Sequence, residues 1–259
     1  MSHEERKSGQ PGDGIRYDVS GKVVTITLAR PDKRNALNAP MMQRLVEALT
    51  VVETDASIRV VVISHEGSAF CSGMDLAAAA SASAGAQPVN LLPLVLESIA
   101  RCSRPVIARV GGPARAGGIG LLAACDIAVA ARGATFAFTE VRLGVVPAVI
   151  SVPVLARVPA ADARELFLTG ASFDADRAAE LRLVNVAVDS ADLDATVAAY
   201  AERLTLGGPE ALRATKEMLY RDAGYAKLLD VSAEQFATSE AQEGIAAFRE
   251  KRPPSWTVE

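Results

Sequence analysis

The sequence has little of several residue types on which common functions depend. Its 259 residues include three cysteines and two histidines, and 27 lysines and arginines are outnumbered by 31 aspartates and glutamates. The widely spaced cysteines form neither a metal knuckle nor a disulfide framework, so no metal site is expected. Free thiols also suit a reducing compartment, which predicts a cytoplasmic location. Without a basic excess, nucleic acid is a poor default partner.

Long hydrophobic runs are also missing. The longest, such as Val60–Ile63 and Leu121–Ala124, are far too short to cross a bilayer, so no membrane association is expected. The polar stretch 1–14 has no apolar signal core, and we predict a disordered N-terminal tail there. Half of the residues are nevertheless hydrophobic, which is enough for a globular protein with a sizeable core.

The order of apolar runs predicts an α/β fold. Runs rich in Val and Ile predict strands, and those after residue 60 lack polar alternation, as expected for strands covered on both faces. Strand, crossover and strand at this spacing imply a mainly parallel sheet. Beyond residue 190 the pattern becomes almost wholly helical. We therefore predict a β/α core over 15–190 and a C-terminal helical segment over 191–259. The predicted core strands are 23–28, 60–64, 105–110, 126–131 and 184–188.

The most informative feature is a pair of glycine-containing loops, 70–76 and 114–120. The second loop lacks the spacing of a dinucleotide-binding loop and the Gly-Lys-Ser/Thr of a P-loop. Two interpretations stay open at this point. The loop packs tightly against a helix, or its small residues let a ligand carbonyl approach free backbone N–H groups at the helix N-terminus.

Glu140 is the candidate acid/base. It lies among apolar and small residues, where a carboxylate is costly unless it is exposed or used, and partial burial would raise its pKa. The alternative is a glutamate that interacts with a helix dipole. A hydrolase that uses Ser72 and His65 is disfavoured because no orienting acid is evident, and His65 is expected to be a solvated loop residue.

Taken together, these segments resemble the crotonase superfamily (enoyl-CoA hydratase/isomerase) over nearly the whole chain. Four motifs occur in the family's order and at its spacing, which makes the match specific. They are Arg30-Pro31-x-x-x-Asn35-Ala36-Leu37-Asn38; Phe70-x-Ser72-Gly73-x-Asp75-Leu76; Arg104 through Ile127, with the second loop; and Glu243-Gly244 followed by Ala247-Phe248-Arg249-Glu250-Lys251-Arg252.

The resemblance implies a spiral of ββα units whose C-terminal helical segment assembles a homotrimer or a hexamer. It implies an acyl-CoA thioester substrate, so CoA is part of the substrate and no separate cofactor is needed. The implied catalytic groups are Glu140 and the amides of Met74 and Gly117, which would form an oxyanion hole. Lys251 would meet CoA phosphates or be a solvated charge. The other implied CoA contacts are Ala36, Leu37, Ser72, Asp75 and Leu76.

The sequence departs from the family at one important position. Hydratases of this family use two glutamates; the second matches Glu140, but the first position is Gly120. The pattern is most similar to single-glutamate members such as bacterial methylglutaconyl-CoA hydratase-like proteins. Three alternatives follow: a hydratase that adds water to a 2-enoyl-CoA, which we favour; a Δ3,Δ2-enoyl-CoA isomerase; or a catalytically weak CoA-binding relative. Arg115 is expected to pair with a surface acid, or else to meet a substrate carboxylate.

Overall fold

The computed structural model describes residues 14–81, 88–220, 234 and 238–257. The predicted tail thus lies outside the described residues, apart from Gly14. Nine strands occur in the described ranges: β1 (Ile15–Ser20), β2 (Val23–Leu28), β3 (Val60–His65), β4 (Val106–Val110), β5 (Ala114–Arg115), β6 (Ile127–Ala131), β7 (Thr135–Ala137), β8 (Phe173–Asp174) and β9 (Val186–Val188).

Two sheets are built from these strands. The larger sheet has the order β1-β2-β3-β4-β6-β9, and the smaller has the order β5-β7-β8. β1 and β2 form an antiparallel hairpin whose turn contains Gly21, at a φ of +55° that glycine adopts readily. The other neighbours in the large sheet are parallel, as the β-branched runs predict.

Helices separate the strands and then dominate the C-terminal part. The helix α1 is capped by Asn38, whose side chain accepts a hydrogen bond from the Met41 amide at 3.0 Å. The helices are α1 (Ala39–Thr54), α2 (Leu76–Ser81), α3 (Leu92–Arg101), α4 (Gly117–Ala124), α5 (Ala148–Leu155), α6 (Ala160–Thr169), α7 (Ala175–Glu180), α8 (Leu193–Thr205), α9 (Pro209–Leu219) and α10 (Ser239–Glu250).

The large sheet is covered on both faces. The main hydrophobic core contains Ile63 and Val110 with helices α1, α3 and α4. Alternate residues of the same strands, such as Val62 and Val129, pack in a second cluster with Leu193 and Val197 of α8. This explains why the central strands read as continuous apolar runs. Among the described residues, every helix is too short or too polar to traverse a lipid bilayer.

Candidate active site

Three chain segments run side by side and end at the same edge. β5 pairs with β7 in parallel with Ala114 opposite Phe136, and an isolated parallel bridge joins Cys71 to Ala114. Residues 71, 114 and 136 therefore form one row. Met74 and Gly117 lie three residues after Cys71 and Ala114, and Glu140 lies four residues after Phe136. Because neighbouring parallel segments are about 4.8 Å apart, the topology places the three predicted catalytic positions at one edge.

The amides of Met74 and Gly117 are available to a ligand. Leu37 donates to the Gly73 carbonyl at 2.8 Å and accepts from the Asp75 amide at 2.9 Å, so the intervening Met74 N–H faces away from Leu37. Gly117 is the first residue of α4, where helix N–H groups have no intrahelical partner. Neither amide has a hydrogen-bond acceptor within the described ranges.

Glycine is required where the two loops approach each other. Gly73 has a φ of +92°, and a Cβ built there would lie 3.6 Å from the Gly117 nitrogen and 3.0 Å from the Ala116 Cβ. A Cβ on Gly118 would lie only 2.4 Å from the carbonyl oxygen of Cys71. Both features of the glycine cluster are therefore present: tight packing, and backbone amides open at a helix N-terminus.

Glu140 is a buried carboxylate with an unsatisfied oxygen. It begins the 3-10 helix Glu140–Leu143, its side chain is only 9% exposed, and its Oε2 has no hydrogen-bond partner in the described part of the chain. Burial raises the pKa of Glu140 because the charged form loses hydration. A helix-end glutamate that merely satisfied a dipole would not need such a buried, unpaired oxygen. The arrangement suits a group that exchanges protons with a ligand.

Position 120 is closed by an apolar side chain. Gly120 lies on α4 one turn after Gly117, and a Cβ built on it would be 2.7 Å from Cγ2 of Ile150 and 3.5 Å from Cδ1 of Leu96. Ile150 on α5 thus fills the space that a side chain at position 120 would need. The sequence identified the missing carboxylate, but not the residue that occupies its place.

The segment 30–38, which contains two of the predicted CoA contacts, is tied to the glycine-containing loop 70–76. Arg30 contacts Asp75 at 3.1 Å and donates to the Ala36 carbonyl at 2.6 Å. Asp75 also accepts from the Ala78 amide, and this hydrogen bond, aided by Arg30, lowers the pKa of Asp75. The Asp75 side chain thus holds two loops together, and its contact with CoA stays a prediction.

Asn35 is a structural residue whose importance the sequence did not reveal. It is fully buried with a φ of +53°, and its Oδ1 accepts from the Arg30 amide at 2.8 Å. Its Nδ2 donates to the carbonyls of Glu66 and Ala69. The available signal was the residue type, because asparagine tolerates the left-handed region better than most residues.

The other predicted CoA contacts differ in exposure. Ala36 and Leu37 are buried, whereas the side chain of Leu76 is 57% exposed. The Ser72 hydroxyl donates to the carbonyl of Lys33 at 3.4 Å, which attaches Ser72 to the segment 30–38. Lys251 is exposed at the C-cap of α10, and no contact within the described residues connects it to the loops. A role for these residues toward CoA stays a prediction.

Two expectations about individual residues were wrong. His65 is not a solvated loop residue: it ends β3, and its Nε2 accepts from the Gly111 amide at 2.9 Å. Burial lowers the pKa of His65, which keeps the ring neutral for this bond. Arg115 pairs with no acid among the described residues; its guanidinium donates instead to the carbonyl of Ala114 and to the hydroxyl of Thr135. Both side chains bond to backbone groups, which every residue carries, so little in the sequence indicated these contacts.

The described residues form neither a metal-ligand cluster nor a reactive thiol site. Across the described ranges, no three histidine, cysteine, aspartate or glutamate side chains converge as a set of metal ligands. The three cysteines are free and buried, and burial raises the pKa of Cys71 to about 12, so its thiol is unreactive. Among the described residues, the predicted chemistry therefore rests on two open backbone amides and the buried carboxylate of Glu140.

Comparison with known proteins identifies the family. The family model described as enoyl-CoA hydratase/isomerase matches residues 18–259. A putative enoyl-CoA hydratase of Thermus thermophilus is 34% identical over 245 residues, which cover 90% of this chain and 97% of the relative. The enoyl-CoA hydratase EchA19 of Mycobacterium tuberculosis is 32% identical over 260 residues, with coverage of 95% and 97%.

A solved structure shows the same fold. The crystal structure of an enoyl-CoA hydratase from Mycobacterium smegmatis superposes with a TM-score of 0.90 at 34% identity and covers 95% of this chain and 99% of that one. The predicted α/β fold of the crotonase type is thereby confirmed. With its family match over almost all of its length and open amides beside a buried glutamate, the chain belongs to the enoyl-CoA hydratase/isomerase family of the crotonase superfamily.

Proposed function

We propose that this enzyme is a hydro-lyase that adds water across the double bond of a 2-enoyl-CoA, using Glu140 as its single acid/base. The observation that supports the proposal is the unpartnered Oε2 of Glu140 at the same edge as the open amides of Met74 and Gly117. A buried carboxylate without a partner is costly to keep, and a reacting water or carbon supplies the missing partner.

The proposed reaction begins with the thioester oxygen in the oxyanion hole. The two amides donate to this oxygen and stabilise the negative charge that develops as the enolate forms. One such donor typically contributes about 10²–10³-fold to the rate. Glu140 takes a proton from water while the water oxygen bonds to C3. The same carboxyl then delivers that proton to C2, so the product gains one molecule of water and Glu140 returns to its charged form.

A specific observation favours a second candidate, the Δ3,Δ2-enoyl-CoA isomerase. Ile150 and Leu96 make the space around Gly120 apolar, so no second carboxylate orients a water molecule there. A second positioned acid/base would contribute about 10²–10⁴-fold. Isomerisation needs no water: Glu140 removes a proton from C2 of a 3-enoyl thioester and returns it to C4. The oxyanion hole serves both reactions through the same enolate.

The third alternative, a weak CoA-binding relative, fits the structure least well. Such a protein would have no reason to retain a buried carboxylate whose pKa is raised by burial. The sequence also has no net basic charge that would suit a nucleic-acid role. We therefore place the protein among catalysts of acyl-CoA metabolism, and its free thiols favour a cytoplasmic location.

The deciding experiment offers the purified protein trans-2-enoyl-CoA and trans-3-enoyl-CoA separately. Hydration lowers the absorbance of the conjugated thioester, whereas isomerisation of the 3-enoyl substrate raises it. Turnover of the 2-enoyl substrate supports the hydratase. Turnover of the 3-enoyl substrate alone overturns it in favour of the isomerase, and binding of both without turnover supports the third alternative.

Assembly into a homotrimer or a dimer of trimers is part of the proposal. Large apolar side chains are exposed from the end of the catalytic 3-10 helix to α6, including Val146 at 80%, Val152 at 77% and Leu168 at 76%. Exposed apolar residues in such number are typical of a surface that another copy covers. Light scattering coupled to size exclusion should give three or six times the 27.1 kDa chain mass. A monomeric mass would contradict this proposal.

A further inference from the structure

One face of α4 leads from the oxyanion hole into the interior. Gly117, Gly120 and Ala124 follow each other at helical spacing and therefore lie on the same face. A Cβ built on Gly117 would lie 3.7 Å from Leu92 of α3, and one on Gly120 would lie 3.5 Å from Leu96, one helical turn further along. Ala124 lines a large cavity together with Leu96.

The cavity has a volume of about 1140 Å³, which is ample for a ligand of moderate size. Its wall nearest to α4 is apolar and includes Leu96, Val149 and Pro153. Near the C-terminal end of α4 its lining also carries the paired charges of Asp126 and Lys216, whose atoms are 2.7 Å apart. The apolar wall can therefore receive a hydrocarbon chain that arrives from the side of α4.

Ile150 lies between the proposed oxyanion hole and the cavity. The preceding residue, Val149, faces the cavity, while Ile150 points at Gly120 and is 2% exposed. Its Cγ2 methyl and the Cδ1 of Leu96 meet at the face of α4 halfway between Gly117 and Ala124. A chain that extends from the oxyanion hole along α4 meets the Ile150 side chain before it reaches the cavity.

We infer that Ile150 limits the length of the acyl group and so determines substrate specificity. The site takes short acyl thioesters, and a longer chain enters the cavity only when the Ile150 side chain is shortened. This inference rests on the proposed function for the class of substrate. Its physical basis is that each buried methylene contributes about fourfold to affinity, provided that space exists for it.

The test measures binding of saturated acyl-CoA thioesters by calorimetry, from butyryl-CoA to decanoyl-CoA. For the wild type, we expect affinity to stop rising or to fall as the chain lengthens. For Ile150→Ala, the ratio of octanoyl-CoA to butyryl-CoA affinity should increase about tenfold. Ile150→Val should give a smaller increase. The matched control is Val154→Ala, a fully buried residue of the same helix α5 that lines neither space and should leave the ratio unchanged.

Several results would overturn the inference. One is a wild type that binds decanoyl-CoA more tightly than butyryl-CoA; another is an unchanged ratio in a folded Ile150→Ala or Ile150→Val variant. Equal shifts in Val154→Ala would show a general loosening of α5 and would also count against it. Binding does not require turnover, so a shifted ratio without any enoyl-CoA conversion supports the inference while the proposed function fails. Absence of acyl-CoA binding overturns both.

Discussion

The two ends of α4 differ in whether the nearby polar groups have hydrogen-bond partners. At the N-terminal end, open amides lie beside Glu140, whose Oε2 has no partner in the described residues. At the C-terminal end, Arg157 donates to the carbonyls of Ala123, Cys125 and Asp126. The comparison shows that one short helix offers an open amide at its first residue, while a neighbouring side chain binds carbonyls at and just beyond its C-terminal end.

A charged pair near the C-terminal end of α4 has several hydrogen-bond partners. Lys216 is 7% exposed and donates to Asp126 at 2.7 Å and to the carbonyl of Arg104 at 3.2 Å. The same Asp126 oxygen accepts from the Val106 amide at 2.7 Å. A largely buried cation paired with a carboxylate and with backbone carbonyls holds elements together, whereas a buried acid without a partner is prepared for a ligand.

The largest effect is expected for Glu140→Gln. The amide keeps the shape of the side chain but cannot accept and return a proton, so turnover should fall by about 10²–10⁴-fold or more. Binding of a saturated acyl-CoA, measured by calorimetry, should stay near that of the wild type. Retained turnover would show that Glu140 is structural. The N-terminal end of α4 would then have no catalytic role to set against the structural role of the C-terminal end.

The second effect concerns the approach of the two loops. In Gly118→Ala, the new methyl group meets the Cys71 carbonyl at 2.4 Å and should push the loops apart. Misplacement of one oxyanion donor should lower kcat/KM by about 10²–10³-fold. The matched control is Gly133→Ala, where a Cβ meets nothing within 4 Å. If both variants keep full activity, the paired amides do not act as the oxyanion hole.

The third effect belongs to the other end of α4. Lys216→Met leaves Asp126 without its cation and should cost about 3 kcal/mol of unfolding free energy, the lower end for buried pairs because the Asp126 side chain is 21% exposed. Denaturant melts measure this cost, and kcat at a temperature where the variant is folded should change little. A variant of normal stability but poor turnover would place Lys216 in the catalytic machinery.

The smallest effect is the pH dependence of stability at Glu140. Its pKa is higher in the folded state than in the unfolded chain, so its stabilising contribution is complete below the ordinary glutamate pKa of about 4.3 and is lost as pH rises through the folded value. At neutral pH, Glu140→Gln should therefore melt a few degrees above the wild type, at about 2–4 °C per kcal/mol. Near pH 4 the two melting temperatures should converge. A variant that melts lower at neutral pH would contradict the buried, unpaired carboxylate.

Much of this could be predicted from the sequence because it depends on local pattern. The β-branched runs identified the core strands, and strand β3 is buried throughout its apolar part as expected.

What could not be predicted depends on contacts between distant segments. Ile150 of α5 fills the space at Gly120 of α4, and no local sequence pattern predicts that contact. The same holds for His65, whose ring is fixed by the amide of Gly111 from a neighbouring strand end. Asn35 is a comparable case, since its three partners come from segments 30–36 and 66–69. Tertiary contacts, rather than residue type, decide these roles.

The parallel bridges that align residues 71, 114 and 136 have a consequence for how this enzyme can change. The groups that we propose to hold the thioester oxygen are peptide amides, which every residue except proline carries, so ordinary replacements of the Met74 side chain leave its donor intact. Electrostatic stabilisation is thus inherited with the backbone, while the choice of reaction depends on a few side chains around it. New chemistry can arise on this scaffold by exchanging those side chains while the anion-binding backbone stays the same.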